Sequence, residues 1–271
     1  MNRLTDILIE CGAADAALLK YTDCEIINHK LVERLDFIPQ SVIIATVPYY
    51  TKFCDESKTV SSYALAYDYH SLLKNIAESA ILKAKEIFPR ASFKFFGDHS
   101  PINEKDAAAK AGLGIIGSHS LLITSNHSSF VFLFEILTDL ECDAVAKEIL
   151  HCYNCNQCVL NCPSYLRGNG DCLSAITQKK GNLNITEEEL IVRCESAWGC
   201  DICQNVCPFT RDAIRRGTIY TNSEWFNTNI CSRPSESTVN DDNDFKNRAY
   251  SWRGKDTILR NLRIINSKKN D

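Results

Sequence analysis

Cys152-Tyr-Asn-Cys155-Asn-Gln-Cys158-Val-Leu-Asn-Cys162-Pro163 and Cys200-Asp-Ile-Cys203-Gln-Asn-Val-Cys207-Pro208 are the two stretches from which the rest of the chain is best read. The first has the C-x2-C-x2-C-x3-C-P spacing, in which three close thiolates reach the corners of one 4Fe–4S cubane and the fourth crosses to a second cluster. The trailing proline turns the chain away and brings no N–H of its own. A structural zinc site typically draws on two cysteine pairs separated by a longer stretch, so four cysteines this close favour iron–sulfur. The second run lacks one member, because the position three before Cys200 is Ala197. Two cubanes need eight ligands, and the two runs supply seven. Crossing the fourth ligands assigns Cys152, Cys155, Cys158 and Cys207 to one cluster. The other takes Cys162, Cys200 and Cys203 with either Cys172 or Cys194. Cys11, Cys24, Cys54, Cys142 and Cys231 read as small buried hydrophobes or bystanders.

Around these runs the composition is ordinary. The 271 residues are 45% hydrophobic and 24% charged with a net charge of −4, which excludes a disordered tail, a fibre and a membrane bundle and gives no global sign of nucleic-acid binding. Fourteen cysteines could stabilise a secreted disulfide scaffold, but such scaffolds are short and follow a signal peptide. Here Met1-Asn-Arg-Leu-Thr-Asp-Ile-Leu-Ile-Glu10 is broken by charges and reads as an amphipathic helix. No apolar run approaches the roughly eighteen residues of a membrane span. The expectation is a cytoplasmic protein, with no membrane partner, whose reduced thiols bind metal.

Three segments follow. Residues 1–140 read as an α/β domain. Ser41-Val-Ile-Ile-Ala-Thr-Val47 is a β-branched run stopped by Pro48, and Ser92–Phe96 alternates as a strand does. Helical spacing runs over 62–88 to Pro89, and Glu104–Ala111 is a helix that Gly112 ends. Ser120–Thr124 and Phe130–Leu137, joined by a polar turn, are expected to pair as an antiparallel hairpin. Residues 141–231 are the cysteine-rich module, and 232–271 read as a polar linker and a basic tail. The tail over 245–270 holds eight basic residues (Lys246, Arg248, Arg253, Lys255, Arg260, Arg263, Lys268 and Lys269) against Asp256 alone. It is a solvated face or a phosphate-backbone contact. Gly112-Leu-Gly114-Ile-Ile-Gly117 matches G-x-G-x-x-G but follows a helix and precedes a strand, the reverse of a dinucleotide fingerprint. It reads as a glycine-rich turn, or as backbone packed against a flat cofactor.

Four stretches together resemble the epoxyqueuosine reductase family, in which cobalamin and iron–sulfur clusters complete queuosine in tRNA. They are Tyr63-Ala-Leu-Ala-Tyr-Asp-Tyr-His70, then Phe96-Gly-Asp-His-Ser-Pro101 with Glu104-Lys105, then Ala108–Leu122 running into Phe130-Val-Phe-Leu-Phe-Glu135, and the pair of cysteine runs. The likeness covers roughly residues 40–210, and Phe245–Asn261 resembles the family's closing segment, as in forms lacking a C-terminal helical repeat domain. The chain departs from the family pattern at Leu65, Ala66, Ile115, Ser118, Gln178 and Lys179.

The resemblance implies an α+β fold: an N-terminal α/β cobalamin-binding domain similar to reductive dehalogenases, then a ferredoxin-like double-cluster module. It makes Cys172, in Cys172-Leu-Ser-Ala-Ile-Thr177, the eighth cluster ligand. It places the proton donor on Asp98 and cobalamin contacts at Leu122, Leu133, Cys200 and Asp201. On the residues alone Asp98 is a turn or cap residue before Pro101. To donate a proton at neutral pH it would need a raised pKa, which burial could provide. His70 reads as a hydrogen-bonded packing residue, not a cobalt ligand. The implied reaction is reductive deoxygenation of epoxyqueuosine to queuosine in tRNA. Electrons would pass from two clusters to cobalamin in a monomer served by a ferredoxin or flavodoxin. A corrinoid iron–sulfur reductase acting on a small molecule, and a two-cluster electron carrier, are the alternatives the cysteine runs also permit.

Overall fold

The computed structural model describes residues 2–165 and 171–267, and they divide into two compact units. The first takes the described residues up to Pro48 together with His70–Asn154, and the second takes Tyr49–Tyr69 with the described residues from Cys155 onward. The boundaries therefore differ from the 1–140, 141–231 and 232–271 division expected from sequence. Backbone pairing explains why 49–69 joins the second unit: Ser61 N–H donates to Trp198 O at 2.7 Å, and Asp68 N–H donates to Asn247 O at 2.7 Å. Cys231 N–H likewise donates to Leu65 O at 2.8 Å. Residues 141–154 stay with the first unit through Lys147 N–H to Lys110 O, 2.8 Å, and Ile116 N–H to Leu150 O, 2.8 Å.

In the first unit, helix α1 (Asn2–Glu10) buries Leu4, Ile7 and Leu8, the i, i+3, i+4 face that its sequence spacing dictates. Strands β1 (Asp15–Lys20) and β2 (Ser41–Pro48) follow, and every residue of β2 is buried. Helix α2 (Tyr69–Ile87) packs Leu73, Ile76, Ala77, Ala80 and Ala84 inward. It starts seven residues later than the spacing predicts, because 62–68 is held by the second unit. Strand β3 (Phe93–Phe96) leads to helix α3 (Glu104–Ala111). The Asn103 side chain caps α3 by accepting from Asp106 N–H at 3.4 Å, and Gly112 ends it at φ 89°, a left-handed conformation that suits a residue without Cβ.

Short strands β4 (Ile115–Ile116) and β5 (Leu122–Ile123) pair with each other, while β6 (Val131–Thr138) enters the main sheet. That sheet is antiparallel in the order β1-β2-β6-β3. The expected hairpin of 120–124 with 130–137 is thus not formed. The polar turn reverses the chain, with Thr124 N–H donating to Ser128 O at 2.9 Å, but an apolar strand such as β6 gains more from burial between β2 and β3 than a two-stranded ribbon offers. The glycine motif serves the β4–β5 pair. A Cβ on Gly114 would stand 2.4 Å from Ile123 O, so protein backbone, not a cofactor, occupies that space.

The second unit is helical, with α4 (Leu173–Thr177), α5 (Ile185–Arg193), α6 (Pro208–Arg216) and α7 (Lys255–Ser267) joined by irregular chain and isolated bridges at Val60–Trp198 and Tyr67–Arg248. Asn184 and Glu187 close a reciprocal cap on α5, at 2.9 and 3.0 Å. Fully buried Trp198 anchors the unit, its indole N–H donating to Tyr63 Oη at 2.7 Å. The expected basic tail is folded into this core. Helix α7 buries Ile258, Leu259, Leu262 and Ile265, and Asn261 donates to Thr177 O and Ala197 O at 2.7 and 2.8 Å. Arg248 is buried on Asp244, Leu65 O and Asn229 O, and Arg260 donates to Lys179 O at 2.7 Å and Gly181 O at 2.5 Å. These guanidiniums complete backbone carbonyls, so Arg248 in particular presents no charge to a phosphate. Lys268 and Lys269 lie outside the described residues. No helix among the described residues is long and apolar enough to cross a membrane.

Candidate active site

In the first unit the chain leaves β3 at Phe96 and makes a tight loop before α3. Asp98 sits in that loop at φ 59°, a left-handed conformation that aspartate tolerates better than most residues. Its carboxylate is half exposed and lies 3.1 Å from His70 Nε2, on the first turn of α2. His70, read from sequence as a hydrogen-bonded residue, has its Nε2 engaged by Asp98.

Beneath the loop lie two further acids. Glu135 occupies the middle of β6, opposite Ile44 on β2 and Phe96 on β3, and is completely buried. The Ser100 hydroxyl donates to its Oε1, and Ile102 N–H donates in turn to Ser100 Oγ at 3.0 Å. Glu104 opens α3 and faces both Glu135 and Asp98. Burial is the main reason Glu104 is pushed up from 4.5 to about 7, with the Asp98 charge adding to it. Glu135 is raised well above the ordinary carboxylate range by burial and then by the charge of Glu104. The sequence reading quotes the two glutamates within the family stretches but gives them no role, although a lone acid inside the apolar run Val131-Phe-Leu-Phe-Glu-Ile-Leu137 is an available signal.

Two of the expected corrin contacts lie in this unit. Leu122 is buried and Leu133 half-buried, both packed with Ile102, Ala107, Ala108 and Leu113 in the core. The residues fit a corrinoid held without an imidazole from His70, since that imidazole is already committed to Asp98.

Cys152, at the end of the first unit, is fixed by its N–H donating to Ile116 O at 3.0 Å. Its Sγ also has Ser118 Oγ at 3.2 Å and Ser118 N–H at 3.3 Å. Burial disfavours the thiolate, but these hydrogen bonds outweigh it and hold the thiol below its ordinary value.

In the second unit several of the remaining candidate ligands gather around Cys203. Cys203 faces Cys172, Asp201, Cys162 and Cys158, while Cys200 faces Asp201, Cys203 and Cys172. Burial, first among the causes, pushes both thiols up to about 12. No group of three or more His, Cys, Asp or Glu side chains among the described residues is spaced to hold a single metal ion. A cubane spreads its four thiolates over four irons, so a gathering of thiols around Cys203 fits it better than convergence on one point would. Cys194 closes α5 and, with Cys200, Asp201, Gly199, Ser61 and Lys58, lines a cavity of about 160 Å³. Asp201 is buried there, accepting from the Ser61 and Ser62 hydroxyls and from Ser62 N–H at 2.7 Å, with Lys58 at 3.8 Å. Gly199, at φ 74°, allows this approach, because a Cβ would stand 2.5 Å from that of Ser61.

Comparison with known proteins agrees with the motif reading. No family model matches the chain. Among curated proteins, the epoxyqueuosine reductase of Aliivibrio fischeri is 33% identical over 187 residues, 66% of this chain and 49% of the relative. That of Cellulophaga algicola is 33% identical over 180 residues, 64% of this chain and 58% of the relative. The Listeria monocytogenes enzyme is 30% identical over 290 aligned positions that take in 99% of this chain and 74% of the relative. The chain thus spans about half to three-fifths of the first two relatives. Two solved structures share the fold. Epoxyqueuosine reductase from Streptococcus thermophilus has a TM-score of 0.73 at 21% identity, covering 100% of this chain and 81% of its own. An epoxyqueuosine reductase solved with an epoxyqueuosine-modified tRNA-Tyr stem loop has a TM-score of 0.75 at 20% identity, covering 97% and 80%. The share of the Listeria relative that is covered, the motifs and the fold together place this chain in the epoxyqueuosine reductase family.

Proposed function

We propose that the protein removes the epoxide oxygen of epoxyqueuosine in tRNA, with Asp98 as the proton donor. The observation that carries the reading is the half-exposed Asp98 carboxylate, presented on a left-handed loop and faced by His70 Nε2 at 3.1 Å. Support from relatives has two parts. One family member has been solved with an epoxyqueuosine-modified tRNA stem loop, and the Bacillus subtilis enzyme with its catalytic aspartate loop swung out of the active site.

Taking the oxygen off as water consumes two electrons and two protons while both carbon–oxygen bonds break. When bound, the two 4Fe–4S clusters and the corrinoid supply those electrons at low potential. Cys152, Cys155, Cys158 and Cys207 would hold one cluster, and Cys162, Cys172, Cys200 and Cys203 the other. The corrinoid would rest near Leu122, Leu133, Cys200 and Asp201. The chain's own chemical contribution is at Asp98, which delivers a proton to the departing oxygen and is recharged through its exposed side. His70 keeps that carboxyl in place between turnovers. A cytoplasmic setting and a ferredoxin or flavodoxin as electron donor complete the reading.

The test is anaerobic turnover of an epoxyqueuosine-bearing tRNA stem loop by reconstituted protein with a low-potential reductant. Mass spectrometry of the digested nucleosides should show loss of one oxygen. Tight corrinoid binding with the epoxide left intact in tRNA would overturn the substrate assignment.

A further inference from the structure

The two glutamates are not needed to hold a cluster; Glu135 is fully buried and Glu104 partly so. Each nonetheless keeps one buried oxygen without a hydrogen-bond partner, Glu104 Oε1 and Glu135 Oε2. Two facing carboxylates cannot both be ionised in a site this dry, and a single proton between them satisfies one of those oxygens and removes the repulsion. Glu135 accepts from the loop above, taking the Ser100 hydroxyl, whose oxygen accepts in turn from Ile102 N–H at 3.0 Å. The loop on which Asp98 sits in a left-handed conformation is therefore tied down two residues on by one member of this pair.

We infer that Glu104 and Glu135 are positioning residues that hold one proton between them and, in that singly protonated form, clamp the 97–103 loop that presents Asp98. The inference rests on the reading of Asp98 as proton donor for its functional meaning, but not for its physics. With the proton present the pair carries one negative charge, and Glu135 can still accept from Ser100. When the proton is lost, two buried charges repel and the clamp opens. The direction of both carboxyl groups, held above their ordinary range, agrees with a proton retained at neutral pH.

Few other charges bear on the pair. Lys105, on α3 itself, faces Glu104 and draws its carboxyl down, while the Asp98 carboxylate from the loop raises both acids. Cys24, after β1, faces Glu135, and burial pushes its thiol up to about 12, so it stays neutral through the window concerned. The strand neighbours of Glu135, Ile44 and Phe96, do not ionise. His70 is joined to the system through Asp98.

The experiment is hydrogen–deuterium exchange of the peptide spanning 97–103 in the reconstituted protein, corrected for intrinsic exchange, from about pH 6 to about pH 9. In the parent, protection should fall by up to about tenfold per pH unit as the pH rises toward the value at which the pair gives up its proton, and level off above it. Glu104→Gln places an amide where the shared proton lies, so its protection should stay level over the same range. Glu104→Ala, which can neither accept nor donate, should lose protection at every pH. Glu135→Gln should stay level too, and it replaces the first variant should that one fail to fold. Level protection in the parent, or an equal slope in the parent and both Gln variants, overturns the clamp. Asp98→Asn separates the two ideas: full deoxygenation by that variant removes the proton-donor reading and leaves the exchange result standing.

Discussion

Replacing Glu104 with glutamine should make the first unit more stable at alkaline pH, because it removes a buried acid that the fold is reluctant to ionise. Glu104 is held at about 7 instead of 4.5, chiefly by burial. A carboxyl whose pKa is raised on folding binds its proton more tightly in the native state. Its contribution is therefore complete below about pH 4.5 and is lost as pH rises through about 7. At roughly 1.4 kcal/mol per pH unit, the interval corresponds to about 3 kcal/mol, an upper bound for a group that keeps some exposure. Glutamine has no such titration. Relative to the parent, Glu104→Gln should gain up to about 3 kcal/mol between pH 5 and pH 8.5. Urea titrations followed by far-ultraviolet circular dichroism would measure this, since Trp198, Trp225 and Trp252 all lie in the second unit and tryptophan fluorescence reports on that unit alone. Parallel stability–pH curves for parent and variant would refute the reasoning.

Three other outcomes follow from particular contacts. Cys172→Ala should lower bound iron from about eight to about four per chain, whereas Cys194→Ala should leave it unchanged, as read by iron analysis and low-temperature EPR. Ser118→Ala removes a hydroxyl from Cys152 Sγ, and with less hydrogen bonding to sulfur the cluster potential should become more negative in an EPR-monitored redox titration. Asn261→Ala strands the buried carbonyls of Thr177 and Ala197 and should cost about 3 kcal/mol in denaturant melts followed by tryptophan fluorescence. An iron content unmoved by Cys172→Ala, an unchanged potential, or a loss below about 1 kcal/mol would each contradict the corresponding contact.

Local signals were legible wherever one element could satisfy itself. The β-branched run at 41–47 could only be a buried strand, and Asn103 and Gly112 mark the two ends of α3 from chemistry within a few residues. Elements whose partners lie far off in sequence were not legible. Phe130–Leu137 looks like half of a hairpin until β2 and β3, which border it, are known. Residues 245–267 look like a basic tail, yet the carbonyls that claim Arg248 and Arg260 belong to residues 65, 229, 179 and 181. The candidate site divides in the same way. Asp98 and the cysteines stand in readable motifs, while His70, Glu104 and Glu135 gain meaning only from packing around one loop.

The measurement that bears most directly on the account is a single-turnover comparison of the parent and Asp98→Asn, matched for iron and corrinoid content, on epoxyqueuosine-bearing tRNA. The account predicts queuosine from the parent and intact epoxide from the variant. Equal queuosine from both would contradict it.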